Sequence, residues 1–232
     1  SKGQALALRQ RAKQAIYKNV RLQGVQDNYY LNKADATAYF EDCDIAGEVD
    51  FIYGDGTMFF EHCTLRPISS GAVITAPNTQ TGYKGIVFNE CIIEGAEGYR
   101  LGRPWGDSPA STYLHTTMRS LPNAAGWGSM SSGLVVRFHE FDSRDANGNP
   151  LDLSSRSISA CNAAANSDPC VITEEQAAEY TLDKVFPNWN PQDFTQQLNV
   201  EVVLTDRTLT WACPEPAIGF VVCKDGHPVA FT

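Results

Sequence analysis

Phe40-Glu41-Asp42-Cys43, Phe60-Glu61-His62-Cys63 and Phe88-Asn89-Glu90-Cys91 are three copies of one unit, aromatic-polar-polar-Cys, and Tyr17-Lys18-Asn19-Val20 is a looser fourth. Their last positions lie 23, 20 and 28 residues apart. Each copy closes a stretch of strand-like apolar/polar alternation. A period drifting through the twenties fits one winding of a coil that restacks on itself. Many short strands separated by turn residues also fit a sandwich or a barrel, but neither asks for a repeated unit. The expected fold class is therefore all-β, a parallel solenoid.

Working outward from the repeat, strands on adjacent windings lie roughly 4.8 Å apart. Asp27 and Asp50 are separated by 23 residues, about one winding, so the coil makes them neighbours. Gln4 precedes Gln26 by 22 residues and can join the same column. One face thus carries glutamines beside two carboxylates. Two carboxyl groups held close do not both ionise readily, so one keeps a charge and the other a proton. Asp at a turn is usually only a turn-former. The apolar setting of Asp50, between Val49 and Phe51-Ile52, argues for more, because a charge buried without purpose is costly.

Strand-like runs separated by Gly, Asn, Asp and Pro continue to about Phe141, and the start, Ser1 to Leu8, is itself patterned as a strand. Residues 142–169 read as a long polar loop. Thr173-Glu174-Glu175-Gln176 has the form of a helix N-cap, predicting a helix through Ala177 to about Val185, before Pro187. Strand alternation returns around Val200–Leu204, Thr208–Trp211 and Gly219–Cys223. The expected division is a solenoid domain over residues 1–197, with its loop and helix, and a small β appendage over 198–232.

Composition narrows the function. The formal net charge is −9, which argues against nucleic acid and against tight binding to a fully ionised polyanion. A neutral or partly neutralised substrate is compatible. No apolar stretch is long enough to cross a membrane. The chain opens without a basic-then-apolar leader and is expected to be a fragment of a longer one. Cys43, Cys63 and Cys91 are expected as buried thiols of the repeat. Cys161/Cys170 and Cys213/Cys223 are close pairs with the spacing of local disulfides, which suits an oxidising compartment. No G-x-S-x-G, H-E-x-x-H, C-x-x-C or P-loop occurs. Carboxylates remain as the candidate catalysts, without metal or cofactor.

Four motifs, in order, carry a family resemblance: Gln4-Ala-Leu-Ala-Leu8, Gln26-Asp27-x-x-Tyr30, Gly47-x-Val49-Asp50-Phe51-Ile52-Tyr53-Gly54 and Leu101-Gly102-Arg103-Pro104-Trp105. Together they resemble the pectin methylesterases. Gly126-Trp127 and Phe138-x-Glu140-Phe141-x-Ser143 are similar to that family's later coils and the Glu175 to Trp189 helix resembles its C-terminal one, so the resemblance runs from about Gln4 to Trp189. It implies a right-handed parallel β-helix and hydrolysis of the C6 methyl esters of pectin (homogalacturonan), outside the cell or in a periplasm. By the same resemblance Asp50 is the nucleophile and Asp27 the general acid and base. Gln26 and Gln4 stabilise the oxyanion, and Arg103 orients Asp50 and keeps it ionised. Trp105 is a sugar platform, and Tyr30, Val49, Tyr53, Trp127 and Met130 are candidates for the groove. Tyr53 and Met130 also fit a packing role, and Trp127 fits either core or groove.

The family's N-terminal coils, with their Gly-x-Tyr-x-Glu signature, have no counterpart here. Either they were cut away, or another chain supplies them to complete the solenoid. Asp55-Gly56 stands where the family has Asn-Ala. Two other functions remain open at this point: a non-catalytic pectin-binding β-helix, and a Ca²⁺-dependent lyase of the pectate lyase type.

Overall fold

The computed structural model describes residues 4–131, 134–159, 163–164, 167–195, 200–212, 220–224 and 227–231. The chain divides into two compact units, Ser1–Trp189 and Asn190–Thr232.

The first unit is a parallel β-solenoid of about six turns, each complete turn built of three strands. The first turn is β1 (Leu8–Gln10), β2 (Gln14–Lys18) and β3 (Arg21–Gln23); the second is β4 (Tyr29–Leu31), β5 (Thr37–Glu41) and β6 (Asp44–Gly47). The third is β7 (Val49–Gly54), β8 (Thr57–Glu61) and β9 (Thr64–Pro67); the fourth is β10 (Val73–Pro77), β11 (Ile86–Asn89) and β12 (Ile92–Ile93). Then come β13 (Arg100–Gly102), β14 (Ala110–Leu114) and β15 (Thr117–Met118), and finally β16 (Arg137–Phe141) and β17 (Arg144–Asp145). Restacking produces three parallel sheets, ordered β1-β4-β7-β10-β13, β2-β5-β8-β11-β14-β16 and β3-β6-β9-β12-β15-β17.

The register explains the repeated unit position by position. Its aromatic residue points inward and stacks on its equivalents: Tyr17 on Phe40 at 4.5 Å, Phe40 on Phe60 at 4.5 Å, Phe60 on Phe88 at 4.7 Å and Phe88 on Tyr113 at 4.5 Å. The third residue turns the corner between second and third sheets in a left-handed conformation: Asn19, Asp42, His62, Glu90, His115 and Asp142 have φ between 49° and 55°. Short polar side chains tolerate that conformation best. The fourth residue must be small to sit inside the corner. Cys43, Cys63 and Cys91 are buried free thiols there, and Thr116 and Ser143 take the same place in later turns.

The opposite face of the second sheet, with Tyr39, Phe59, Val87 and Leu114, packs against Ile172, Ala177, Val185 and Phe186. This cover is a broken helix rather than the single one expected. It consists of α1 (Glu174–Ala177), a 3₁₀ turn Ala178–Tyr180 and α2 (Leu182–Val185). Thr181 is extended at φ −64°, ψ 155° and interrupts the ladder. The Thr173/Gln176 capping box is present, with both reciprocal hydrogen bonds made.

Two local expectations are corrected. Residues 4–7 are irregular and the first strand begins at Leu8. Cys170 is a buried free thiol, so it forms no local bridge, and Cys161 lies outside the described residues. The backbone at Cys170 serves the solenoid, its carbonyl accepting the Glu140 amide at 2.7 Å. The second pair also falls outside, because Cys213 and the Cys223 side chain are not described.

The second unit holds a 3₁₀ turn Pro191–Phe194 and two antiparallel hairpins, β18 (Val202–Thr205) with β19 (Thr208–Trp211), and β20 (Val221–Lys224) with β21 (His227–Phe231). No helix among the described residues is long and apolar enough to cross a membrane.

Candidate active site

The first sheet carries a cleft on its outer face. Gln26 bridges to Val49, and Tyr29 pairs with Ile52, so the intervening Asp27 and Asp50 face each other on consecutive turns. The Asp27 amide donates to the Val49 carbonyl at 3.0 Å, holding the two segments together at that point. Both aspartates are left-handed, with φ 58° at Asp27 and 49° at Asp50. Beyond Asp50 the register slips. Val49 pairs with Val73 and Ile52 with Thr75, so Asp50 and Phe51 together oppose Ile74 alone. Such a bulge re-aims a side chain at a strand surface.

Asp50 is 5 % exposed, with its carboxylate gripped by a guanidinium fork. Arg103 Nε donates to Oδ1 at 2.8 Å and Nη2 donates to Oδ2 at 2.5 Å. Arg103 reaches that position because β13 lies close against β10. A Cβ at Gly102 would meet Thr75 Oγ1 at 2.2 Å, so only glycine allows the approach. The Arg103 amide then bonds the Thr75 carbonyl at 3.0 Å, and the Trp105 amide bonds that of Pro77 at 3.1 Å.

Burial pushes the Asp50 carboxyl up, opposed by the hydrogen bonds and charge of Arg103. Asp27 is also raised, first by burial and then by the Asp50 charge, with Arg103 opposing. Only Asp50 has the bidentate fork, an arrangement that favours the ionised form. Both carboxyls are raised, but only at Asp50 does a guanidinium fork oppose the rise, so the ionised form is favoured more at Asp50 than at Asp27.

Gln4, Gln26, Asp27, Asp50 and Arg103 line this cleft together with Tyr53, Ala76, Trp105 and Met130, around a volume of about 330 Å³. Tyr30 stands beside it, its ring stacked on Tyr53 at 4.4 Å and 6.3 Å from Trp105. The Tyr53 hydroxyl is pushed up to about 12, chiefly by burial and then by the Asp27 charge.

A sequence profile of the pectinesterase family matches residues 1–185. The chain belongs to the pectinesterase family. It is 38% identical over 147 residues to Pectinesterase 31 of Arabidopsis thaliana, covering 60% of this chain and 45% of that protein. It is 33% identical over 213 residues to Pectinesterase A of Dickeya chrysanthemi, covering 81% of this chain and 57% of that protein. The chain thus spans about half the length of these relatives. Among solved structures, the pectin methylesterase from Yersinia enterocolitica aligns with a TM-score of 0.62 at 27% identity, over 80% of this chain and 65% of that one. A pectin methylesterase in complex with a hexasaccharide aligns with a TM-score of 0.58 at 28% identity, over 76% and 58% respectively.

Within this pectinesterase solenoid, the five expected catalytic positions share one cleft with Trp105, Tyr53 and Met130. Met130 is 40 % exposed at its edge. Trp127 is a correction: it is 0 % exposed and lies in the core rather than the groove. It bridges to Gly102, stacks on Phe138 at 4.6 Å and sits 6.0 Å from Tyr113, extending the internal aromatic ladder. Val49 is half-buried and serves through its backbone, holding the Asp27 segment in register, rather than through its side chain in the cleft. Ala76, which the sequence reading missed, sits beside Tyr53 on the next turn and is small enough to floor the cleft. Its signal was register, not residue type.

Proposed function

We propose that this chain hydrolyses the C6 methyl esters of pectin, releasing methanol and leaving a galacturonate carboxylate. The observation that carries the reading is the opposition of Asp27 and Asp50 with Arg103 forked onto Asp50 alone. An Asp50 oxygen attacks the ester carbonyl carbon, and the carbonyl electron pair moves onto oxygen. Side-chain amides of Gln4 and Gln26 donate to that oxyanion. Collapse expels the methoxy group, which takes the proton from Asp27 and departs as methanol. Asp27, now a carboxylate, removes a proton from the water that attacks the acyl intermediate. Asp50 leaves as a carboxylate, Asp27 is again protonated, and the galacturonic acid product gives its own proton to solvent.

Trp105, Tyr53 and Tyr30 provide apolar faces on which sugar rings can lie, and Met130 lines the edge of the cleft. The known hexasaccharide complex of a similar pectin methylesterase supports a pectin chain as the ligand. A cell-wall polymer as substrate places the working protein outside the cell or in a periplasm. No step calls for a metal or a cofactor.

The test is methanol release from highly methylated pectin by the folded chain, with and without a chelator. Chelator-insensitive release is the expected result. Binding of pectin without methanol release would replace this reading with a non-catalytic one. Unsaturated ends that vanish with chelation would replace it with a lyase.

A further inference from the structure

Arg137 opens β16 on the last turn, paired with Ala110 of the turn before. From there its guanidinium reaches back over two loops. Nε donates to the Ser108 hydroxyl at 3.1 Å and Nη2 to the Ser108 carbonyl at 2.7 Å. Nη1 donates to the Tyr83 carbonyl at 2.7 Å, and Nη2 also to that of Gln80 at 3.3 Å. Residues 78–85 link β10 to β11, and residues 103–109 link β13 to β14. One side chain thus fastens together the loops of two earlier turns.

Both loops lead to Trp105. The second contains it, and the first begins straight after Pro77, whose carbonyl accepts the Trp105 amide at 3.1 Å. Asn78 lies so close to Gly106 that a Cβ there would meet its Oδ1 at 1.7 Å, and Gly106 is left-handed at φ 79°. Asn78 Nδ2 in turn donates to Asp55 at 2.5 Å. Trp105 therefore sits between a backbone tether at its own amide and the Arg137 clamp at Ser108. A half-buried arginine bonded to carbonyls is ordinarily a filler of loop acceptors. Here the bonds all end on neutral oxygens, and burial pulls the guanidinium down, with Tyr180 and Asp168 opposing through space. That is a costly way to fill acceptors. Only a planar fork reaches both loops at once, which a lysine's point charge does not.

We propose that Arg137 is a positioning residue for the cleft: by clamping residues 103–109 to residues 78–85 it holds the Trp105 ring where a sugar meets it, and so sets affinity for the polymer. This rests on the pectin reading above and adds a residue to it. Arg137 does not line the cleft, so it touches neither sugar nor ester. A loop left free would have to be ordered by the ligand, and that entropy subtracts from binding. Arg103 begins the same loop but carries its own tethers, the Asp50 fork and the Thr75 carbonyl. The clamp therefore bears on Trp105 more than on the reacting groups.

Two measurements on the full chain test this. Hydrogen exchange of the segment 103–109 should quicken about tenfold in Arg137→Gln, with the solenoid strands unchanged. Titration calorimetry with a fully methylated oligogalacturonide, in an Asp50→Asn background that prevents turnover, should show binding about fivefold weaker on adding Arg137→Gln. With Trp105→Ala already present, the same change should weaken binding less than about twofold, because the two residues act as one. Arg137→Lys should recover only part of the loss. If Arg137→Gln melts below the assay temperature, Ser108→Ala takes its place; it removes only the Nε acceptor and should weaken binding about twofold. Unchanged exchange, unchanged affinity, or a loss that persists in full alongside Trp105→Ala would each overturn the proposal. Methanol release by the unaltered chain reports separately on the esterase assignment.

Discussion

Asp27 and Asp50 face each other on consecutive turns of the solenoid, both in the left-handed conformation, and Arg103 grips only the second. One geometry thus gives two like residues different protonation behaviour.

Asp27→Asn tests the cost of that proximity. The Asp27 carboxyl is raised by burial and by the Asp50 charge. Well below the ordinary carboxylate value of about 4, folded and unfolded states are both protonated, and the site exerts no pH-dependent drain. As pH rises through that value the unfolded chain loses its proton while the folded chain retains it, so stability falls until the folded value is passed. The amide removes this loss. Melting temperature at neutral pH should rise in Asp27→Asn, the gain should fade in acid, and methanol release should collapse. An equal effect at all pH values would contradict the assignment of a raised carboxyl.

Arg103→Lys keeps the charge and removes the fork. The hydrogen bonds and charge of Arg103 pull the Asp50 carboxyl down against its burial. Without the fork that carboxyl rises further, so the acid limb of the kcat/KM profile should move to higher pH. At the optimum, kcat should fall about 100-fold through lost alignment. A lower rate with an unmoved acid limb would give Arg103 only a binding role.

Trp105 and Trp127 sit in similar-looking Gly-rich stretches but should behave oppositely. Trp127 is 0 % exposed and stacked at 4.6 Å on Phe138, so Trp127→Ala should cost about 3–5 kcal/mol in denaturant unfolding. Trp105 lines the cleft, so Trp105→Ala should change stability by less than about 1 kcal/mol. Its KM for pectin should rise by up to about tenfold.

Glu140 takes the rung beside Tyr113, where earlier turns carry aromatics. It is 0 % exposed, pairs with Arg156 Nε at 2.5 Å and accepts from Ser143 Oγ at 2.9 Å. Arg156→Met leaves a buried carboxylate unmatched and should cost about 3–5 kcal/mol in urea unfolding. Adding Glu140→Gln should recover most of that loss. A double variant as unstable as the single one would mean that Arg156 acts through packing and its bond to the Ala124 carbonyl instead.

The coil was legible because each position of the repeated unit answers a different constraint: a stackable ring, a left-handed corner and a small inward residue. The uneven spacing was legible too, since Phe60 and Phe88 still pair in register although 28 residues separate them. The extra chain loops out between strands without disturbing the ladder. Spacing put Asp27 and Asp50 side by side, the family resemblance added Arg103, and all three line one cleft. Trp127 was not resolved, because Gly-Trp is written the same way whether the ring faces the core or the solvent. Ala76 was missed because it belongs to no motif, and only strand register places it beside Tyr53. The helix break at Thr181 escaped because the local residues favour helix, while an extended Thr181 lets α2 start afresh against the sheet.

The most direct test of the central claim is methanol release by Asp50→Asn beside the unaltered chain, with a melting curve for each. The account predicts a loss of at least ~10³-fold in kcat with a melting temperature within a few degrees, since the amide retains the side chain's shape. Near-normal turnover by a folded Asp50→Asn protein would contradict it.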